Sequence, residues 1–282
     1  MKQKLSHLSN TLARKGLRLN SYWASKHWRS HPFGNSVRAS NDTYMALWEK
    51  EKSKAYPEID AYEQETGRAI EKGWLDKLAL HTQIVVKNSP LCYQHGRILY
   101  SALSTYLEKK PQQNITIYET GTARGFSSVV MTKALTDENA SGKILTFDVL
   151  PHNIPMYWNC IDDCERQKSR AEILEPWREL IENHVLFFEG DSFINLQAVQ
   201  TERIHFAFLD GAHSYRDVNF EFKTVATRQR EGDVIVFDDY NSKQFPGLVR
   251  AVDEGCRIWG YTKRILSTGA DRAYVIATKQ GG

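Results

Sequence analysis

The sequence predicts an α/β fold in which helices cover both faces of a mostly parallel sheet. Five short apolar runs recur between residues 115 and 240, and helix-length segments separate them. A chain of 282 residues is also long enough for one large domain with an appendage. The five runs are ITIYETG (115–121), KILTFD (143–148), VLFFEG (185–190), IHFAFLDG (204–211) and DVIVFDDY (233–240).

The pattern changes after the fifth run. A helix is predicted from about Pro246 to Trp259, and two strand-like runs follow it, KRILST and RAYVIATK. The spacing of these two runs is that of a hairpin, and a hairpin joins antiparallel strands. We therefore expect a doubly wound sheet of seven strands in which the last hairpin is antiparallel.

The residues before the sheet divide into two parts. Apolar residues recur every three or four positions over 42–110, which predicts a helical extension. Residues 1–41 form a basic arm, and residues 111–282 form the α/β domain. The segment 1–40 contains eight Lys and Arg and no Asp or Glu. Because the whole chain carries 37 basic and 34 acidic residues, the rest has a balance of −5.

Three interpretations of the arm remain open. It can pack on a partner subunit, lie on an anionic membrane surface, or act as an organellar targeting segment. A solvated or partner-packed arm is favoured over membrane contact, because one short amphipathic stretch binds a membrane weakly. We expect a homodimer on this basis. The acidic body and the lack of a nucleic-acid motif argue against RNA or DNA as a partner.

The remaining composition favours a cytoplasmic protein. No apolar run approaches the ~18 residues that a membrane-spanning helix needs, and the start of the chain lacks the apolar segment of a secretory signal. The four cysteines show no disulfide framework, so reduced thiols are expected. Cys160 and Cys164 can share a metal in principle, but their spacing of one helical turn favours core packing.

Acidic residues mark the end of each of the five runs. In open α/β sheets, ligands bind beyond the carboxyl ends of the strands. Buried carboxylates without partners are costly, so a purely structural sheet has little reason to end its strands in this way. The candidates are Glu119 with Gly121 and Gly125, Asp148, Asp191 with Ser192, Asp210 with His213, and Asp238 with Asp239.

The first of these turns, ETGTARGFS, is predicted to be a binding loop. Gly121 and Gly125 allow the backbone to turn sharply before a helix that opens near Ser127. A dinucleotide fingerprint requires a small residue at position 126, where this chain has Phe126. A pyrophosphate ligand is therefore disfavoured.

The spacing Glu119-x-Gly121-x-x-x-Gly125 resembles the first motif of class I S-adenosylmethionine-dependent methyltransferases, which have a Rossmann-like fold. The resemblance implies S-adenosylmethionine as cofactor. Asp148 can accept hydrogen bonds from both ribose hydroxyls, and the resemblance places Asp191 opposite the adenine amino group. The predicted cofactor-binding residues are Glu119, Gly121, Thr122, Gly125, Ser127, Asp148, Asp191, Ser192 and Asp210.

Three carboxylates are predicted to converge at the ends of the fourth and fifth strands. Asp210, Asp238 and Asp239 cannot lie together as bare anions, so either their pKa values rise or a hard cation neutralises them. Ligation by oxygen alone favours Mg²⁺, Mn²⁺ or Ca²⁺. We therefore predict a metal site of these three residues, with Mg²⁺ or another hard divalent cation. Helix or turn capping is the structural alternative for any one of them.

The runs DGAHSY and DDY are similar to a signature of metal-dependent bacterial sugar O-methyltransferases, and the resemblance covers residues 89–282. Catechol O-methyltransferases are similar too, although they have an amide where Asp239 stands and a lysine where His213 stands. The resemblance implies methyl transfer to a hydroxyl of a small molecule or sugar. Asp210 and His213 are the predicted catalytic residues, since a histidine can take a proton near neutral pH. A structural role for His213 is equally compatible with the sequence.

Two other function classes remain open. Proteins similar to this group include hydroxylases of antibiotic scaffolds, but the sequence shows no clear site of two histidines and one carboxylate. The other alternative is a non-catalytic cofactor-binding or scaffold protein. The identity of the methyl acceptor has no motif in the sequence.

Overall fold

A computed structural model describes residues 31–109, 114–269 and 272–281. Most of the predicted basic arm, with its proposed membrane and subunit contacts, lies outside the described residues. The first helices form the extension before the sheet. They are α1 (Asn41–Lys52), α2 (Pro57–Thr66), α3 (Lys72–Thr82) and α4 (His95–Lys109).

Seven strands form one sheet in the order β3-β2-β1-β4-β5-β7-β6. The first five are mutually parallel, and β7 runs antiparallel to both β5 and β6. This topology confirms the predicted sheet and its antiparallel last hairpin. The strands are β1 (Ile115–Thr120), β2 (Gly142–Asp148), β3 (Val185–Glu189), β4 (Phe206–Leu209), β5 (Val234–Phe237), β6 (Tyr261–Ser267) and β7 (Ala273–Lys279).

Helices cover both faces of the sheet, because the central strands carry apolar side chains on both faces. One apolar cluster joins α4 and α5 (Phe126–Asp137) to one face, and a second joins α9 (Tyr215–Ala226) and α10 (Pro246–Trp259) to the other. The predicted helix Pro246–Trp259 is confirmed at both ends. The short helices between β2 and β4 are α6 (Arg170–Ile173), α7 (Arg178–Glu182) and α8 (Ser192–Ala198).

The helical extension shares a core with the sheet. Tyr44 of α1 and Ile276 of β7 belong to the same buried cluster. At the far edge, Arg264 of β6 pairs with Glu65 of α2 at 2.6 Å. The extension therefore packs against the α/β domain along the edge formed by β6 and β7, where it can wall a cavity beside the ends of the strands.

The segment between β2 and β3 encloses a small core of its own around the fully buried Trp158. Cys160, which caps the 3-10 turn Ile161–Cys164, is buried there as predicted, but Cys164 at the end of the turn is exposed, so the prediction of core packing is wrong for Cys164. All four cysteines are free thiols. Among the described residues, the structure contains no helix with the length and apolar character to span a membrane.

Candidate functional site

The turn after β1 needs glycine at two positions. Gly121 has a φ of +87°, and a Cβ atom there would lie 2.3 Å from the carbonyl oxygen of Asp210. Gly125 has a φ of +88°, and its Cβ would lie 2.6 Å from a methyl group of Leu174. Both contacts are closer than a side chain allows, in a backbone region that disfavours side chains. The turn therefore lies directly against the end of β4.

Glu119 supports this turn from inside the protein. Its side chain is fully buried, and its two carboxylate oxygens accept hydrogen bonds from the hydroxyls of Ser127 and Ser128. Burial raises the pKa of Glu119, against the effect of these hydrogen bonds. Glu119 and Ser127, both predicted to bind the cofactor, thus fix the start of α5. The side chain of Thr122 is likewise engaged within the protein, because its hydroxyl forms a hydrogen bond with the hydroxyl of Thr146.

Asp148 lies beside the turn at the end of β2. Its carboxylate accepts hydrogen bonds from the backbone amides of Ala123 at 2.6 Å and Leu150 at 2.7 Å. The guanidinium of Arg170 lies 3.6 Å away and donates to the Ala123 carbonyl at 2.7 Å. Burial raises the pKa of Asp148, and Arg170 opposes that shift. The sequence predicted Asp148 at this place but gave no sign of Arg170.

A cavity of about 530 Å³ lies at the ends of β2, β3 and β4. Two predicted cofactor residues, Asp191 and Ser192, line it. At its base, the buried Glu221 of α9 accepts hydrogen bonds from Thr120 and Ser192, both at 2.9 Å. Burial raises the pKa of Glu221 to about 7. The other residues that line the cavity are Val149, Phe193, Ile194, Gly211, Ala212, Arg216, Asp217 and Phe220.

Asp210, His213 and Asp239 form a cluster between the ends of β4 and β5. One potential ligand atom from each lies within 4.8 Å of the others. His213 Nε2 is 3.1 Å from Asp239 Oδ2 and 3.8 Å from Asp210 Oδ1, and its ring stacks on Phe245 with centroids 4.3 Å apart. The Nε2 atom is buried and, within the described chain, has no hydrogen bond of good geometry. The nitrogen therefore lies between two carboxylates without a well-aligned hydrogen bond to either.

The charges of this cluster shift the ionisation of each member. Burial and the neighbouring Asp238 carboxylate raise the pKa of Asp210 to about 7. Contact with Asp210 and Asp239 raises the pKa of His213 to about 10. Burial opposes ionisation of Asp239, but its contact with His213 holds its pKa below the usual value. The imidazole is therefore cationic at neutral pH and neutralises part of the acidic charge.

Asp238, the third predicted metal ligand, faces a different partner. Its buried carboxylate accepts hydrogen bonds from Arg272, with distances of 2.6 Å to Nη2 and 3.3 Å to Nε. The adjacent Asp239 has a φ of +54°; it contacts His213 and also lies 3.3 Å from Arg272. The structure therefore brings together two of the three predicted ligands and adds His213 to them.

A second cavity, of about 420 Å³, opens beside Asp239. The helical extension, the loop after β5 and the turn between β6 and β7 form its walls. Its polar lining comes from residues far apart in sequence, which is why the sequence pattern did not indicate it. The lining residues are Lys54, Ala55, Tyr56, Lys87, Ser89, Pro90, Leu91, Cys92, Asp239, Asn241, Gln244, Phe245, Thr268, Gly269 and Arg272.

Comparison with known proteins gives a family match for the central part of the chain. Residues 118–240 match a protein family described as a methyltransferase domain. The match begins within β1 and ends just after β5, so it contains every site residue that the sequence predicted. No curated protein matches the chain significantly.

Solved structures with the same fold include two O-methyltransferases. NovP is 16% identical, with a TM-score of 0.50, over 70% of this chain and 84% of its own. TomG from Streptomyces achromogenes, which is involved in tomaymycin synthesis and was solved in complex with SAM, is 17% identical, with a TM-score of 0.51, over 76% of this chain and 92% of its own. At this identity the likeness concerns the fold. The likeness agrees with the predicted doubly wound fold, and the family match identifies residues 118–240 as a methyltransferase domain.

Proposed function

We propose that this chain, which matches a methyltransferase domain over residues 118–240, transfers a methyl group from S-adenosylmethionine to a hydroxyl of a small molecule or sugar, assisted by a divalent cation. The observation that carries the proposal is the close approach of Gly121 to Asp210. It sets the predicted cofactor turn directly against the cluster of Asp210, His213 and Asp239. Methyl transfer requires the donor and the acceptor hydroxyl to be adjacent, and the contact between the cofactor turn and this cluster brings the two proposed sites side by side.

The cofactor half is supported by the cavity at the ends of β2, β3 and β4. Its volume of about 530 Å³ is in the range of nucleoside-sized ligands. Asp191 and Ser192 line it, and Asp148 lies beside the adjoining turn. S-adenosylmethionine supplies an electrophilic methyl group on a positively charged sulfur. The acidic groups around the turn favour a cation of this kind.

The cluster also fits a divalent cation. Two carboxylates and one imidazole are ligands that Mn²⁺ and related ions accept, and Mg²⁺ prefers the oxygen members of the set. His213 Nε2 is buried without a directed hydrogen bond, as a nitrogen that ligates a metal would be before binding. Asp210, Asp239 and His213 would hold the ion. A cation bound there would lower the pKa of an acceptor hydroxyl and fix its oxygen.

The protein's own residues then have defined roles. Asp239 lines the acceptor cavity and also contacts His213, so it lies where an acceptor hydroxyl can approach the cluster. His213 retains its proton at neutral pH while it contacts both carboxylates. Nε2 has to lose this proton before it can ligate an ion, and a metal-bound Nε2 cannot accept a second proton. The general-base role predicted for His213 therefore applies where the two carboxylates alone hold the ion and the imidazole is neutral.

The two alternative functions have less support in this geometry. A redox-metal hydroxylase is typically built on two histidines and one carboxylate, and this cluster has the reverse composition. A scaffold protein would bind neither the cofactor nor the ion. The proposed acceptor, homodimer, membrane contact and cytoplasmic location stay predictions.

Calorimetry and a methyl-transfer assay test the proposal together. The full chain should bind S-adenosylmethionine and, in a separate titration, Mn²⁺. Incubation with labelled cofactor and a panel of catechols and sugars should transfer label to at least one acceptor, and a chelator should reduce the transfer. D210N should lose the Mn²⁺ response, whereas E179Q, which changes an exposed carboxylate on α7, should retain it. Failure to bind S-adenosylmethionine would refute the assignment.

A further inference from the structure

Three basic side chains line the cavity beside Asp239, and two of them already have acidic partners. Lys54 pairs with the buried carboxylate of Glu51. Arg272 pairs with Asp238 at 2.6 Å and with Asp239 at 3.3 Å. The charges of Lys54 and Arg272 are therefore neutralised within the protein.

Lys87 is the third basic residue and differs from the other two. It forms no salt bridge or hydrogen bond with any residue that the structure describes. The Lys87 side chain is exposed at the cavity; partial burial, together with repulsion from Arg272, lowers the pKa of Lys87, and the charges of Asp239 and Asp238 oppose this shift. The Lys87 ammonium lines the cavity without a counter-ion from the described chain, whereas Lys54 and Arg272 are already paired. It therefore provides a binding position for an anion.

The rest of the cavity suits a small organic ligand. Its volume of about 420 Å³ lies within the range of small-molecule sites. Ser89, Asn241 and Thr268 offer hydrogen-bonding groups, while Leu91 and Phe245 offer apolar surface. Asp239 connects this lining to the proposed reaction centre. A ligand can therefore contact both Lys87 and the cluster from within one cavity.

We propose that the methyl acceptor carries an anionic group, a carboxylate or a phosphate ester, and that Lys87 binds this group within the cavity. The proposal rests on the function proposed above, since it concerns the acceptor of that reaction. An anion supplies the counter-ion that Lys87 lacks, whereas a neutral acceptor leaves the ammonium unpaired. The anion also orients the acceptor, because Lys87 and Asp239 would contact different ends of the same molecule.

Matched pairs of small molecules test this inference. The probes are catechol with 3,4-dihydroxybenzoate, and glucose with glucuronate and glucose 6-phosphate. Binding to the full chain is measured by calorimetry at pH 7 and low salt, with and without S-adenosylhomocysteine. At least one charged member should bind about tenfold more tightly than its neutral partner, the size of one charge-assisted hydrogen bond. The carboxylate and phosphate members show which anion is preferred.

Variants at Lys87 separate the proposed contact from a general effect of charge. K87Q should remove the preference and leave binding of the neutral partner unchanged, while K87R should keep part of it. K77Q, which changes an exposed lysine on α3, should have no effect. Lys87 lies in a loop and makes no hydrogen bond within the described chain, so circular dichroism should show an intact fold in K87Q.

The results also distinguish this inference from the proposed function. Equal binding of charged and neutral partners, a preference that survives in K87Q, or no binding of any charged probe would overturn the inference. Methyl transfer to a neutral probe without a charge preference would support the function and overturn the inference. A preference that depends on Lys87, without transfer to any probe, would support the inference while counting against the function.

Discussion

Arg272 of β7 holds the carboxylate of Asp238, with its Nη2 atom 2.6 Å from Oδ2. This contact joins the antiparallel hairpin to the end of the last parallel strand. It also decides which of two consecutive aspartates faces the reaction centre. Asp238 is 1% exposed and pairs with Arg272, whereas Asp239 lies 3.3 Å from Arg272 through one oxygen and 3.1 Å from His213 through the other.

Replacement of Arg272 by glutamine should destabilise the protein. The variant R272Q leaves Asp238 as a buried charge without its partner, and loss of such a partner costs about 3 kcal/mol, since Arg272 itself is partly exposed. Urea unfolding measures the change. The double variant R272Q/D238N should recover part of the loss, and R257Q, on the exposed side of α10, should change stability by less than about 0.5 kcal/mol. A wild-type midpoint in R272Q would show that the pair contributes nothing.

The two adjacent aspartates should differ in their effect on metal binding. D239N removes a carboxylate from the cluster and should weaken Mn²⁺ binding at least about tenfold, because the ion loses a charged ligand. D238N changes a carboxylate that pairs with Arg272 and should weaken binding much less. Calorimetric titration of both variants makes the comparison. If D238N weakens Mn²⁺ binding more than D239N does, Asp238 is the ligand and the arrangement described above is wrong.

Gly121 should tolerate no side chain. In G121A the new Cβ meets the Asp210 carbonyl at 2.3 Å, so the turn or the end of β4 has to move. We expect a loss of about 1–3 kcal/mol in stability and a large loss of S-adenosylmethionine affinity. G67A is the matched control: its φ is +65° and no atom lies within 4 Å of the added Cβ. G67A should therefore lose stability without loss of cofactor binding, and equal binding losses in both would refute the steric argument.

Glu221 should make stability depend on pH. Burial raises its pKa from 4.5 to about 7 in the folded protein, so the folded state binds more protons than the unfolded state between these values. Its contribution is present in full below pH 4.5 and is lost as the pH rises through 7. The loss is on the order of 3 kcal/mol.

The variant E221Q isolates this effect from the other titrating groups. The stability of E221Q relative to the wild type should rise between pH 4.5 and 7 and then level off. Urea unfolding at several pH values, without added ligand, gives the comparison. A constant difference across this range would show that Glu221 is not the titrating group.

Local pattern was sufficient to predict most of the fold. Apolar runs on both faces predict buried parallel strands, and the helix Pro246–Trp259 follows directly from its periodicity. The acidic and glycine residues at the strand ends were predictable because parallel strands bring their carboxyl ends to one edge. Gly121 and Asp210 therefore meet as expected, although they are far apart in the chain.

The residue with which each aspartate pairs was not predictable in the same way. Strand order brings Asp210, Asp238 and Asp239 to one edge, but the direction of each carboxylate depends on residues from other elements. Arg272 forms an ion pair with Asp238, and Arg170 forms one with Asp148. Neither arginine belongs to a motif, so sequence spacing gave no signal for them.

The sequence by itself determined the sheet, the glycine turn and the edge at which the acidic residues gather, because periodicity and glycine geometry act over a few residues. Only the tertiary structure decided that His213 completes the cluster, that Asp238 does not face it, and that Lys87 faces a cavity without a counter-ion. The physical reason is that a charged side chain turns toward the nearest compensating group, and folding brings that group from a distant part of the chain.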